Sequence, residues 1–193
     1  APEIRDELLA RPWVPADRIA VVVNGVDLER WQPAWTTAGA EARAAFRQAY
    51  GIAPDAPLIV NVGSLTDQKD HANLVAACDH VRAEVPRVRC VIIGEGGLRP
   101  DLEREIAARG LAGTVVLAGF VADPVPALAA ADVFALSSRN EGMAWVLMEA
   151  AASGLPTVTT DVSGGRYCVV EGQNGWVVPP GDAGALAAGI VRI

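Results

Sequence analysis

Aromatic residues make up only 5% of this 193-residue chain. That scarcity argues against a carbohydrate-binding or nucleic-acid-binding module built on stacking platforms. Lysine is scarcer still: of 16 basic residues all but Lys69 are Arg. Against 23 acidic residues this leaves a net charge of −7. Such a chain has no general attraction for nucleic acid or anionic lipid, so a bound phosphate needs a local site. The cysteines Cys78, Cys90 and Cys168 match no zinc spacing, and an odd count makes no disulfide scaffold. Two of them sit in apolar contexts and read as core, with a reducing compartment, the cytoplasm, as the simple expectation. His71 and His80 are too few for a histidine metal centre; His71 reads either as a neighbour of a ligand rim or as a helix-surface residue. No run of about 18 apolar residues is present, which excludes a membrane span within the chain. The first residues carry no apolar stretch of a signal peptide. Walker A, His-Glu-x-x-His and Gly-x-Ser-x-Gly patterns are all missing. The chain begins with Ala rather than Met, and it is expected to be part of a longer protein.

What is present is a globular composition, 51% hydrophobic. A chain of this size buries about 70% of its extended surface, enough for one full core. Residues 1–35 differ from the rest. They hold a short helix candidate from Pro2 to Arg11, a β-branched run at Ile19–Val23 before the Asn24-Gly25 turn, and three tryptophans, Trp13, Trp31 and Trp35. Some of these tryptophans are expected near the surface, where exposure marks a missing partner, with ordinary packing as the alternative. Residues 36–50 predict a helix that Gly51 ends.

A regular alternation follows. Short apolar runs predict strands at Leu58–Val62, Arg89–Ile93, Val115–Ala118, Val133–Leu136, Thr157–Thr160 and Trp176–Val178. Helical spacing of Ala and Leu predicts helices at Asp70–Glu84, Arg99–Arg109, Pro124–Ala131, Ala144–Ser153 and from Asp182 onward. This order means an α/β fold: an open, Rossmann-like parallel sheet with helices on both faces. The last helix stops about three turns after it starts, so a truncated carboxyl end is expected.

In such a sheet ligands bind beyond the carboxyl ends of the strands, near the switch in strand order. Polar and glycine-rich residues collect there: Gly63-Ser64, Gln68-Lys69, Gly94-Glu95-Gly96, Gly119-Phe120, Ser137 through Gly142, and Asp161 through Arg166. Gly63 and Gly94 would allow close backbone approach, and free amides at a helix start can hold an anion. Lys69 adds a point charge at that rim, although a solvated surface lysine is its ordinary reading. Glu149 lies in the apolar stretch Ala144–Ala152 and needs a partner; Glu141 precedes it by a little over two turns, so both could face one rim. Ligand hydroxyls could serve, or an arginine ion pair. Gly94-Glu95-Gly96 is a poor dinucleotide fingerprint, because position 99 holds Arg rather than Gly.

Taken in order, these elements resemble the carboxyl-terminal domain of family 4 retaining glycosyltransferases of the GT-B fold, also called glycosyl transferases group 1. The resemblance starts at Val22–Asp27 and Trp31-Gln32-Pro33. It runs through Val62–Leu65, Gln68-Lys69, Ile93–Gly96, Ala131–Phe134, Ser137-Ser138, Glu141-Gly142 and Glu149-Ala150 to Ser153–Val158, Gly172–Gly175 and Pro180–Asp182. It implies that residues 1–35 are an interdomain segment or a remnant of the preceding domain, and 36–193 a nucleotide-sugar-binding domain. It implies that Lys69 contacts the donor diphosphate, that Glu149 accepts from ribose hydroxyls, and that Glu141 holds sugar or phosphate with the amides near Gly142, Met143 and Ala144. Phe120 would lie near the base. The family resembled is metal-independent, so neither metal nor other cofactor is expected, and the donor would be a nucleoside-diphosphate sugar. The acceptor-binding amino-terminal domain is absent from the chain, and the full-length enzyme is expected to be cytoplasmic, at the inner face of the membrane. Two places depart from the pattern. Ser64 stands where the family often has an Arg that pairs with the lysine, and Arg139 or Arg166 is the candidate replacement. Met143-Ala144-Trp145 replaces the usual Phe-Gly. Two other functions compete: a non-catalytic nucleotide-sugar-binding subunit, which Ser64 keeps open, and a GT-B sugar-nucleotide epimerase, which would need acid–base residues outside this chain.

Overall fold

The computed structural model describes residues 2–11, 13, 15–22, 24–31, 37–142 and 144–193. Among them the apolar runs form β1 (Leu58–Val62), β2 (Arg89–Ile93), β3 (Val115–Gly119), β4 (Val133–Leu136), β5 (Thr157–Thr160) and β6 (Gly175–Val178). All neighbours pair in parallel, in the order β3-β2-β1-β4-β5-β6. The expected Rossmann-like sheet is therefore present. Its order runs outward from β1 on one side and from β4 on the other, which puts the switch point between these two strands.

The helices are α1 (Pro2–Leu9), α2 (Leu28–Trp31), α3 (Thr37–Ala49), α4 (His71–Glu84), α5 (Arg99–Ala108), α6 (Val125–Ala130), α7 (Trp145–Ala152), α8 (Gly165–Cys168) and α9 (Ala183–Val191). Four-residue α2 and α8 are not predicted from sequence, since a single turn shows no 3.6-residue period. Asp182 caps α9 by accepting a hydrogen bond from the Ala185 amide at 2.8 Å, a common way to satisfy an orphan N–H.

Alternate strand residues serve opposite layers, as a pleated strand requires. Leu58 and Val60 of β1 pack with Phe46, Leu128 and Leu147, from α3, α6 and α7. Ile59 packs with Leu74, Leu102 and Leu186, from α4, α5 and α9. Both faces of the sheet are thus covered, and each fully buried Leu or Ile contributes about 1.5–3 kcal/mol. At the amino ends of the strands, Arg47 is buried. It donates to the Ala56 and Ala130 carbonyls and to Asp132 Oδ2, the last at 2.7 Å. That buried arginine ties α3 to the sheet, far from the carboxyl ends.

Residues 15–22 are mostly exposed, and 19–22 of the β-branched run form no strand. Of the three tryptophans, Trp13 is 69% exposed and Trp31 only 3%; Trp35 lies outside the described residues. Trp31 packs into the same core as Phe46 and Phe134. Beside it, Arg30 stacks over the Trp31 ring and bonds Asp123 at 3.3 Å. No helix among the described residues is long and apolar enough to cross a membrane.

Candidate functional site at the strand switch

The loops after β1 and β4 meet beyond the carboxyl ends of these adjacent strands. There Lys69 Nζ lies 2.5 Å from Glu141 Oε1, with the two side chains 18% and 7% exposed. The ordinary reading of Lys69 as a solvated lysine is thereby corrected. The stem lies against Gly63, where a Cβ would be in ordinary contact with Lys69 Cδ at 3.4 Å. Ser138 Oγ donates to the same Glu141 oxygen at 2.6 Å, and Thr160 Oγ1 donates to the Ser138 carbonyl at 2.6 Å. Ser137 Oγ donates to the Lys69 carbonyl at 2.9 Å. The sequence pointed to Glu141 and Lys69 separately. Their mutual contact, and the part of Ser138 and Thr160 in it, came from strand order.

Gly94 serves a different purpose from the one expected. A Cβ on it would fall 2.0 Å from the Gly63 carbonyl oxygen, and one on Gly96 would fall 2.3 Å from that of Leu65. These glycines let the β1 and β2 loops lie against each other, where Gly63 N–H donates to Ile93 O and Leu65 N–H to Glu95 O. The close approach that the structure shows at Gly94 is loop on loop. Arg99, at the position a dinucleotide fingerprint reserves for Gly, bonds Glu95 at 3.0 Å and Glu103 at 2.9 Å.

His71 opens α4 and is 1% exposed, which corrects the helix-surface reading. Asn61 Nδ2 donates to the Ala135 carbonyl at 2.8 Å, so Asn61 Oδ1 is free to accept from His71 Nε2 at 2.9 Å. The tautomer is inferred from this network. His71 Nδ1 is buried with no partner among the described residues. Burial, helped by the Lys69 charge, lowers its pKa from 6.5 to about 4. The neutral ring therefore joins β1 to α4 just behind the lysine.

The two arginines proposed to replace a charge at Ser64 are both engaged. Arg139 Nε and Nη2 donate to Asp70 Oδ2 and Oδ1 at 2.9 and 3.2 Å. Arg166 Nη2 donates to Asp161 Oδ2 at 2.7 Å. Ser64 itself is exposed. The side chain of Glu149, on α7, makes no hydrogen bond or ion pair among the described residues, so the arginine-pair alternative finds no contact. Burial raises its pKa and the charge of Arg30 opposes that rise. A half-buried carboxylate without a partner is a strong acceptor for ligand hydroxyls. Glu141 and Glu149 are thus used differently, one in an ion pair and one open.

Phe120, at the end of edge strand β3, is 78% exposed, and Trp145 is 53% exposed. Gly142 is exposed, and Ala144, the residue just before α7, is buried. Met143 lies outside the described residues. Among the described residues no group of three His, Cys, Asp or Glu side chains is placed to hold a metal ion.

Comparison with known proteins follows the same lines. The D-inositol 3-phosphate glycosyltransferase of Xylanimonas cellulosilytica is 37% identical over 177 residues, 89% of this chain and 42% of that protein. The alpha-D-kanosaminyltransferase of Streptomyces kanamyceticus is 30% identical over 191 residues, 98% of this chain and 48% of that protein. The chain spans less than half the length of these relatives. Among solved structures, Anabaena HepE in complex with UDP and glucose superposes with a TM-score of 0.81 at 26% identity, covering 92% of this chain and 48% of that one. A glycosyltransferase from Rickettsia africae superposes with a TM-score of 0.89 over 100% of this chain and 51% of its own, at 22% identity, a likeness of fold. The family model described as glycosyl transferases group 1 matches residues 56–193. With that match laid over the sheet and the Lys69–Glu141 pair, the chain belongs to the glycosyl transferases group 1 family.

Proposed function

We propose that this chain is the donor-binding half of a retaining glycosyltransferase that moves a sugar from a nucleoside-diphosphate sugar to an acceptor hydroxyl. The observation that carries the reading is the Lys69–Glu141 pair at the switch between β1 and β4, where open α/β sheets bind their ligands. Lys69 meets the diphosphate, together with amides of the loops around Ser64 and Gly142. Fixed charge and amide dipoles of this kind stabilise a leaving diphosphate without a metal or other cofactor. Glu141 orients the phosphate or sugar, Glu149 accepts from the ribose, and Phe120 borders the base. Support comes from HepE, whose solved complexes hold UDP and glucose, and from relatives named for transfer of sugar residues.

An acceptor-binding half, outside this chain, completes the cleft in this reading. Residues 1–35 lead from it, and residues 36–193 form the donor domain. The whole enzyme works in the cytoplasm, peripheral to the inner face of the membrane; three free cysteines suit a reducing compartment. Both walls of the cleft are needed to align donor and acceptor. The chain alone is therefore expected to bind a nucleoside diphosphate with a Kd of about 10 µM to 1 mM and to transfer no sugar. The deciding measurement incubates the full-length protein with a panel of radiolabelled nucleotide sugars and mixed acceptors. Transfer with retained anomeric configuration supports the proposal. Epimerised donor, or binding without any turnover across the panel, overturns it.

A further inference from the structure

We propose that Asp70 and Arg139 form a clamp that positions Lys69 and Glu141 for a bound diphosphate, without touching the ligand themselves. This inference rests on the donor-binding reading above and adds two positioning residues to it. Asp70 follows Lys69 directly, and Arg139 precedes Glu141 by two positions. The Arg139 guanidinium grips both Asp70 oxygens, at 2.9 and 3.2 Å. Asp70 is 5% exposed.

The backbone at Asp70 gives the clamp its meaning. Its φ is 46°, and it is the sole non-glycine residue with positive φ among those described. Glycine adopts that left-handed conformation without strain, whereas a side chain adds a steric cost. A glycine here would make the same turn into α4. What aspartate adds is a carboxylate, and that carboxylate is spent on Arg139.

Three more bonds run between the same two loops. Arg139 N–H donates to the Gln68 carbonyl at 2.8 Å. Gln68 Nε2 donates to the Asn140 carbonyl at 2.9 Å. Ser137 Oγ donates to the Lys69 carbonyl at 2.9 Å. Lys69 is thus held through its own carbonyl and through the residues on both sides of it. Its ammonium sits at the end of a flexible four-carbon stem, so the position of its backbone sets where the charge can reach. Ser64 carries no charge, so on the donor-binding reading the phosphates depend more on where Lys69 is placed.

The experiment compares Asp70→Gly, Arg139→Ala and the double variant of the whole chain. UDP and GDP serve as calorimetric probes, and lysine labelled at Cε gives one resonance because Lys69 is the sole lysine. Each single variant is expected to weaken binding of the tighter probe about tenfold, in line with the cost of a loosened supporting contact. The double variant should lose no more than either single. Asp70→Gly should stay within about 4 °C of the original Tm, since it relieves the left-handed backbone. The Lys69 resonance should shift in all three variants. Arg139 acting directly on phosphate predicts otherwise: Asp70→Gly would free it and bind as well as or better than the original chain. That result, or additive losses in the double variant, overturns the clamp. If Asp70→Gly fails to fold, Arg139→Ala, at an exposed side chain, decides through affinity and the Lys69 signal. If the unaltered chain binds neither probe, the donor reading fails by itself. The Lys69 resonance then decides the clamp: a shift in Asp70→Gly and Arg139→Ala supports it, and an unmoved signal overturns it.

Discussion

Lys69 Nζ and Glu141 Oε1 meet at 2.5 Å across 72 residues of sequence. Each is the charge that makes the other tolerable in a partly enclosed place, for a carboxylate 7% exposed needs a partner. Lys69, the cation proposed to meet phosphate, is therefore paired with a carboxylate. A diphosphate has to share Lys69 with Glu141 or displace it.

Lys69→Ala should weaken binding of a nucleoside diphosphate by about 1.5–3 kcal/mol, the range for a charged hydrogen bond. It also leaves Glu141 facing the phosphates uncompensated. Adding Glu141→Gln to Lys69→Ala should then recover part of the lost affinity. Calorimetry on the three variants checks this, and a double variant weaker than Lys69→Ala would contradict it.

Glu149→Gln should reduce affinity for ribonucleotides more than for sugar phosphates, because its carboxylate is open to ribose hydroxyls. The same change should raise Tm at neutral pH. Burial lifts the Glu149 pKa above its ordinary 4.5, against the pull of Arg30. The folded chain thus holds this proton more tightly than the unfolded one, and stability falls as pH climbs from 4.5 through the raised value. The Tm advantage of the glutamine variant should vanish at pH below 4.5, where both states of the original are protonated. Melts across that window measure it.

His71 has the opposite linkage. Its folded pKa is depressed from 6.5 to about 4. Its neutral form therefore supports the fold fully above 6.5, and that support drains away as pH falls toward 4. The integrated loss is about 3 kcal/mol, from the free energy of each pKa unit. Urea unfolding at a series of pH values should show this slope, and His71→Gln should flatten it.

Gly94→Ala should cost about 2–4 kcal/mol, combining backbone strain with overpacking. Its new methyl would fall 2.0 Å from the Gly63 oxygen at a φ of 144°. Denaturant midpoints measure the loss. Because the displaced loop carries Gly63 and leads to Lys69, nucleotide affinity should fall with it. Gly97→Ala, with open space around its Cβ, is the control that should change neither.

The strands and longer helices could be read from the chain within a residue or two. Leu58–Val62 and Arg89–Ile93 carry short apolar runs, and α4 and α5 carry helical spacing, all of which are local properties. The carboxyl-end loops stood out for the same reason, since polar and glycine residues follow each apolar run. Lys69 stood out as the lone lysine in an arginine-rich chain. The one-turn helices α2 and α8 were hidden because four residues show no period.

The rest belongs to the tertiary structure. Glycine at 94 reads as a place of close backbone approach, and only the fold shows that the Gly63 carbonyl takes the space its missing side chain leaves. His71 sits at the polar start of α4, and only the packing of that helix on β1 makes it 1% exposed. Arg139 reads as a free cation near phosphate until Asp70, 69 residues earlier, accepts from its Nε and Nη2. Lys69 and Glu141 are neighbours because β4 pairs with β1 rather than with β3. A local pattern of hydrophobicity specifies that a segment is a strand. Which strand it lies beside depends on how helices cross the sheet and what they bury, and partners far apart in sequence are chosen at that step.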